Sequence, residues 1–163
     1  MARRRLLTAA AVALIVLAAD QATKLWAQHT LSPGHQVTVI GGWLWFRLLT
    51  NSGATLGLFR GHNLLFLGVS ALLVAAVVLI LLRGGASNVL AAAALGAVAG
   101  GTTGNLLDRI RLGHVIDFIE VHVWPATFNL ADAAIRLGVV LFLLALLLDL
   151  GRRSRSGGSP ATD

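Results

Sequence analysis

The chain has 163 residues, of which 56% are hydrophobic and only 12% charged, with a mean hydropathy of +0.80. A water-soluble domain usually carries about 25% charged residues, so this composition excludes that class and reads as one small polytopic membrane domain. Cysteine is absent, which excludes a disulfide framework, a thiol nucleophile and a Cys-based metal site, and the net charge of +6 comes from basic residues that flank apolar runs, a placement that suits membrane topology rather than a nucleic-acid partner.

The N-terminus opens with Arg3, Arg4 and Arg5 before the charge-free run 6–19. A basic start, an apolar core and the small residues Ala18 and Ala19 also describe a cleavable leader. Amphipathic sequence continues through Leu25 and Trp26, however, and 6–26 reaches the roughly 20 residues that a span needs. It is read as an uncleaved first helix with Asp20 near its outer end. Asp20 and Lys24 lie one helical turn apart and can pair on one face, which by spacing alone suggests an ion pair at the membrane interface.

Residues 28–61 form the sizeable non-helical region. The segments 36–40 and 43–49 are rich in β-branched and aromatic residues, and Gly41-Gly42 between them fits a tight hairpin turn. Trp43, Trp45, Arg47 and Leu49 are expected on one face of the second strand. The stretch 51–59 follows as a Gly-containing turn.

The charge-free runs 64–82 and 89–107 predict the second and third spans, joined by the polar turn 83–88. Gly96, Gly100 and Gly104 recur every fourth residue, a spacing that lets a neighbouring helix approach closely in lipid. The chain then leaves the membrane, with 121–124 as a short extended piece ended by Pro125. Asn129 fits a helix N-cap, with Asp132 three positions on to meet the first-turn amides. The fourth span is placed at 133–150, and 151–163 is read as a basic, polar cytoplasmic tail. The fold expected is therefore an all-α membrane protein of four transmembrane helices, one domain over 1–150, with a small outer β-hairpin or sheet at about 36–49.

Four spans put both termini on one side. Arg3, Arg4, Arg5, Arg152, Arg153 and Arg155 flank those termini and Arg83 lies in the loop beside them, so the positive-inside rule places both ends in the cytoplasm. Lys24, Arg47, Arg60, Arg109, Arg111 and Arg136 fall on or near the outer side, which suggests contacts with lipid phosphates or with acids. Trp26, Trp43, Trp45 and Trp124 all fall on that outer side too, as an interfacial belt does.

The segment 100–132 holds Asp108, Asp117, Glu120 and Asp132 between two apolar runs, and acids at the edge of hydrocarbon are expensive. If packing brings Asp117 and Asp132 together, the pair shares a proton near neutral pH, because two close carboxylates resist double ionisation. Such a dyad activates water without a metal or a covalent intermediate. The structural alternatives stay open on charge placement alone. Asp132 can serve only as a first-turn helix acid or pair with Arg136, and Asp117 can pair with Arg109 or Arg111. His114, Asp117, Glu120 and His122 are candidate metal ligands, but their spacing matches no helix-face metal motif. Neither Ser52 nor Ser70 lies in a nucleophile motif. A proton-coupled transporter or channel is the second functional class, since membrane acids also relay protons. A scaffold built on the glycine ridge is the third, and it leaves the polar cluster without a role.

Collinear short motifs resemble the lipoprotein signal peptidases, or type II signal peptidases. Asp20-Gln-Ala-Thr-Lys24 resembles that family's Asp-x-x-[Ser/Thr]-Lys segment, and Asn51-Ser-Gly53-Ala54 its Asn-x-Gly-Ala segment. Gly100-Gly-Thr-Thr-Gly104-Asn105 followed by Asp108-Arg109 resembles its Gly-rich block. Val115-Ile-Asp117-Phe118 and Phe128-Asn129-Leu-Ala-Asp132 resemble the segments bearing its two catalytic acids. Thr55-Leu56 and Thr102 depart from the residues usual there. The resemblance covers about 20–135 and implies a bacterial inner-membrane aspartyl endopeptidase. It would remove signal peptides from diacylglyceryl-modified prolipoproteins, cutting before the lipidated cysteine near the outer interface. It further implies that Asp117 and Asp132 are catalytic, and that Asp20, Lys24, Asn51, Gly53, Asn105, Arg109 and Asn129 bind substrate or support the site. No cofactor or metal is expected. The partners expected are the prolipoproteins and membrane phospholipid, and the chain is read as a monomer. The hairpin at 36–49 is expected to cover the site.

Overall fold

A computed structural model of the chain describes residues 2–53 and 61–156. Among these, the order of elements is α1 (Ala2–Thr30), β1 (Gln36–Ile40), β2 (Leu44–Asn51), α2 (Asn63–Leu82), α3 (Val89–Leu112), β3 (Val115–Val121) and α4 (Leu130–Ser156). All four helices are long and apolar enough to cross a membrane. At a rise of 1.5 Å per residue, α1 is about 43 Å long, well beyond a hydrocarbon core of about 30 Å. The charge-free windows had marked the hydrocarbon part only. The helices continue beyond it, so α3 takes in Asp108 and Arg109, and α4 begins at Leu130 rather than 133. At its other end α4 runs on to Ser156, so the expected tail starts later, and 157–163 lie outside the described residues. Most of the turn expected at 51–59 lies outside them as well, including Thr55 and Leu56, as does Arg60.

α3 is the centre of the bundle. Its sequence is dominated by Ala and Gly, and most of it is buried, whereas α1, α2 and α4 turn Leu14, Leu72 and Leu147 outwards. In lipid, apolar burial gives helices little reason to associate, so they associate through close packing of small residues. The expected ridge does this. A Cβ on Gly96 or Gly100 would strike the backbone of Ala9 or Ala13 on α1. A second glycine contact faces α4: a Cβ on Gly101 would lie 2.6 Å from the Ala131 carbonyl oxygen, and one on Gly138 2.7 Å from that of Ala94. α3 starts on Asn88, whose side chain accepts the Ala91 N–H at 2.9 Å. It ends on Gly113 at φ 78°, and the chain passes straight into β3.

The strands form one antiparallel sheet in the order β1-β2-β3. The hairpin turns where Gly41-Gly42 suggested. Gly42 takes φ 73°, and the Trp43 N–H donates to the Ile40 carbonyl at 3.0 Å. The third strand corrects the sequence reading, which placed a short extended piece at 121–124. Pairing instead occupies Val115–Val121, with Phe46 opposite Ile119 and Leu49 opposite Asp117. The edge of β2 was available to any β-prone segment that the bundle brought beside it, and the run VIDFIEV is such a segment. The sheet packs on the C-terminal end of α1 through Trp26, Phe46 and Phe118, whose rings meet edge to face with centroids 5.3–6.1 Å apart.

Candidate active site

The C-terminal ends of α1 and α3, the start of α4 and strand β3 converge on one polar cluster. Asp117 lies on β3 and is buried. Asn129 Nδ2 donates to its Oδ1 at 2.7 Å, and Asn51 Nδ2 donates to its Oδ2 at 2.9 Å. Asn51 reaches it because of a β-bulge. From Phe46 opposite Ile119, regular pairing would set Asn51 opposite residue 114, on the other face of the sheet from Asp117. One extra residue on β2 between Phe46 and Leu49 sets it opposite Val115, in phase with Asp117. The same bulge takes Leu49 off the face expected to hold Trp43, Trp45 and Arg47. Register is a tertiary property, so residue alternation alone could not show it.

Asp132 occupies the first turn of α4. Asn129 caps that helix as the sequence suggested, accepting the Asp132 N–H on Oδ1 at 2.9 Å. Asn105, on α3, donates to Asp132 Oδ1 at 2.8 Å, and its own oxygen accepts from Asn129 Nδ2 at 3.1 Å. The two acids are thus joined through Asn129 and Asn105. Each amide has a fixed orientation, because its oxygen faces a group that only donates. For Asn51 that group is the Gly53 N–H at 3.0 Å; for Asn129 it is the Asp132 N–H; for Asn105 it is the Lys24 ammonium at 2.9 Å. With the oxygens committed, all three NH2 groups point at carboxylates.

Asp20 and Lys24 do pair across one helical turn, at 2.8 Å, but both are buried rather than interfacial. Lys24 Nζ also lies 2.8 Å from Asp108 Oδ2. Asp20 Oδ1 accepts the Ala131 N–H at 2.9 Å, a second cap on α4 supplied by a helix far away in sequence. Asp108 was missed as a site residue, although it stands in the Gly-rich block. Its Oδ2 accepts the Ile116 N–H at 3.3 Å, and its Oδ1 accepts Gln21 Nε2 at 3.0 Å. Gln21 was missed too, and only its position one residue after Asp20 hinted at it. Arg109 spreads over the Phe66 ring, 5.3 Å from its centroid, and the Asn63 amide donates to the Arg109 carbonyl at 3.2 Å, tying α2 to this end of α3.

Burial is the main reason the Asp117 carboxyl is pushed up to about 7, and the nearby charge of Asp132 adds to it. The amides of Asn51 and Asn129 and the charge of Lys24 oppose the shift without cancelling it. Among the described residues, neither Asp117 nor Asp132 forms an ion pair within 4.0 Å. Arg136, the expected partner of Asp132, instead lies over the rings of Trp124 and Phe128, 4.9 and 5.4 Å from their centroids. The candidate metal ligands have dispersed. Glu120 pairs with Arg47 at 2.9 Å, and the His122 ring meets Trp43 at 5.5 Å. Among the described residues, no three acidic or histidine side chains gather around a metal-sized site. The hairpin expected to cover the site meets it through β2. β1 is exposed throughout and lies a full strand away from β3, and the far end of β2 is the part that reaches Asp117.

A buried carboxyl beside a second carboxylate, with a pKa near neutrality, is equipped to hold and return one proton. Comparison with known proteins points to one family. The model of the signal peptidase (SPase) II family matches residues 12–148. A lipoprotein signal peptidase of Moorella thermoacetica is 38% identical over 144 residues, covering 88% of this chain and 95% of that protein. One of Syntrophomonas wolfei is 40% identical over 143 residues, with 88% and 95% covered. Among solved structures, a bacterial membrane enzyme at 2.3 Å resolution superposes with a TM-score of 0.81 at 28% identity, over 96% of this chain and 93% of that one. Another, at 1.9 Å resolution, gives 0.78 at 29% identity, over 86% and 92%.

Proposed function

The chain belongs to the signal peptidase II family, and from that premise we propose that it is an aspartyl endopeptidase of the bacterial inner membrane. Its substrates are prolipoproteins whose cysteine already carries diacylglycerol, and it cuts the peptide bond just before that cysteine. The observation that carries this reading is the linkage of Asp117 to Asp132 through Asn129 and Asn105, with the Asp117 carboxyl raised to about 7. Asp117 holds the shared proton and hydrogen-bonds the scissile carbonyl. Asp132, whose Oδ1 is held by Asn105, takes a proton from the attacking water. As the tetrahedral intermediate collapses, a proton passes to the leaving amine and the pair returns to its starting state. Every group needed for this is a side chain of the pair or its amides.

Both termini lie in the cytoplasm, and the acids sit near the outer interface, where a lipidated substrate arrives sideways through the bilayer. The Trp belt and the aromatic packing of Trp26 against the sheet support that depth. Asn51, Gly53 and Asn129 hold Asp117 and the helix start, Asn105 holds Asp132, and Arg109 at the end of α3 meets the substrate.

The test is cleavage of a diacylated prolipoprotein by purified protein, comparing wild type with Asp117→Asn and Asp132→Asn. Each variant should fold and lose at least about a thousandfold in rate. Substantial cleavage by either one would falsify the acid-pair assignment. Equal cleavage of an unlipidated substrate would overturn the lipid requirement.

A further inference from the structure

Lys24 is 2% exposed, so it cannot touch a substrate, yet it stands at the centre of the cluster. An ammonium has three donors, and Nζ has three acceptors: Asp20 Oδ2 at 2.8 Å, Asp108 Oδ2 at 2.8 Å and Asn105 Oδ1 at 2.9 Å. Each acceptor residue makes a second contact at or beside one of the two acids. Asp20 Oδ1 takes the N–H of Ala131, the residue before Asp132. Asp108 Oδ2 takes the N–H of Ile116, the residue before Asp117. Asn105 Nδ2 donates to Asp132 itself. Asp117 and Asp132 stand on different elements, β3 and α4, and the acceptors gathered by this one ammonium reach both.

We infer that Lys24 is a positioning residue that sets the separation of the two acids, its ammonium fixing three arms that hold the chain on either side of the catalytic pair. This rests on the acid-pair reading above. A lysine serving only to neutralise Asp20 and Asp108 would need its charge and not its geometry. A positioning lysine needs both, because its arms have fixed lengths and the short point charge sets where they meet.

The experiment uses the full chain in lipid nanodiscs with a diacylated prolipoprotein substrate. It measures kcat and KM per folded molecule for wild type, Lys24→Met and Lys24→Arg, with thermal unfolding recorded for each. Lys24→Met should lower kcat at least roughly tenfold, since a misplacement of about 1 Å can cost about a hundredfold, while KM stays within about twofold. Lys24→Arg keeps the charge but spreads its donors across a longer planar fork. Its extra bulk in a buried site should lower the unfolding temperature, and kcat per folded molecule should still fall several-fold. Wild-type kcat per folded molecule in Lys24→Arg overturns the inference, and this variant decides the matter if Lys24→Met does not fold. A Lys24→Met protein that loses folded fraction but keeps wild-type kcat also overturns it. Asp117→Asn is run alongside. If it still cleaves, the acid-pair reading fails, whereas if it is inactive and both Lys24 variants turn over normally, only the role of Lys24 fails.

Discussion

The contact between α1 and α3 is two contacts end to end. In the N-terminal half of both helices, the inner half of the proposed topology, Ala9 and Ala13 rest on Gly96 and Gly100, backbone against backbone, while Arg5 donates to the Ala86 and Ser87 carbonyls just ahead of α3. In the outer half, the same ridge continues to Gly104, and the group resting on it is the Asp20 carboxylate. One turn further, Lys24 meets Asn105 and Asp108. Spacing and helix pair are the same throughout, but on the inner glycines the helices are held by shape and on the outer ones by charge and hydrogen bonds. A small residue on the ridge therefore means close packing in one place and room for a buried ion cluster in the other. Such a cluster is tolerated because its members satisfy one another; removing one partner leaves an uncompensated charge.

The difference predicts distinct outcomes for one substitution made in two places. At Gly100 a Cβ would lie 2.9 Å from the Ala13 Cα and 3.0 Å from its carbonyl carbon, so Gly100→Ala must push two backbones apart. It should cost about 1–3 kcal/mol, read as a lower unfolding temperature with kcat per folded molecule unchanged. At Gly104 the obstacle is a side chain, the buried Asp20 carboxylate. Gly104→Ala should cost stability as well, since it strains a buried ion pair, but it also moves the carboxylate that caps α4 beside Asp132, so kcat per folded molecule should fall. If both variants divide their effects between stability and rate in the same way, the two halves are not distinct.

Acidity sharpens the comparison further, because Asp117 is the member of the outer cluster that titrates near neutrality. Its folded pKa is raised from 3.8 to about 7. Below about pH 4 the carboxyl is protonated both folded and unfolded, and its contribution to stability is complete. As pH rises towards 7 the unfolded chain ionises first, so stability falls; the loss is on the order of 4 kcal/mol and is complete above about pH 7. Thermal unfolding from pH 4 to 8 should show this slope, and Asp117→Asn should flatten it. Cleavage should decline as pH rises through about 7, the upper limb of its pH–rate profile, as the shared proton is lost. A rate that stays flat to pH 9 would remove Asp117 from the proton-holding role.

How far the sequence discloses each half follows the same division. The inner half was legible because its signals are local: charge-free runs long enough to span, and glycines at every fourth position. The N-cap at Asn129 and the pairing of Asp20 with Lys24 are local as well, and both were found. The rest of the outer half depends on register and on contacts between distant segments. Nothing near Asn51 shows that a bulge on β2 turns it towards Asp117. Nor does anything near Asp20 show that its second oxygen caps a helix 111 residues away. β3 escaped notice because its partner was a free strand edge, which has no local signature. Asp108 and Gln21 escaped because a polar residue at a helix end is usually solvated, and here only the bundle buries them.

The smallest effect is expected at Arg136, whose position one turn after Asp132 suggested a partner that would keep that acid charged. The guanidinium lies on Trp124 and Phe128 instead, so it belongs to the aromatic rim of the outer half and not to the ion cluster. Arg136→Gln should lose about 0.5–2 kcal/mol of stability with the stacking. It should leave the upper limb of the pH–rate profile where it is. Were Arg136 a counter-ion of the pair, removing its charge would favour the protonated carboxyls and carry that limb to higher pH. A clear upward displacement would therefore join Arg136 to the cluster around Lys24, and a fixed limb confines the electrostatics of the site to the groups held by α1 and α3.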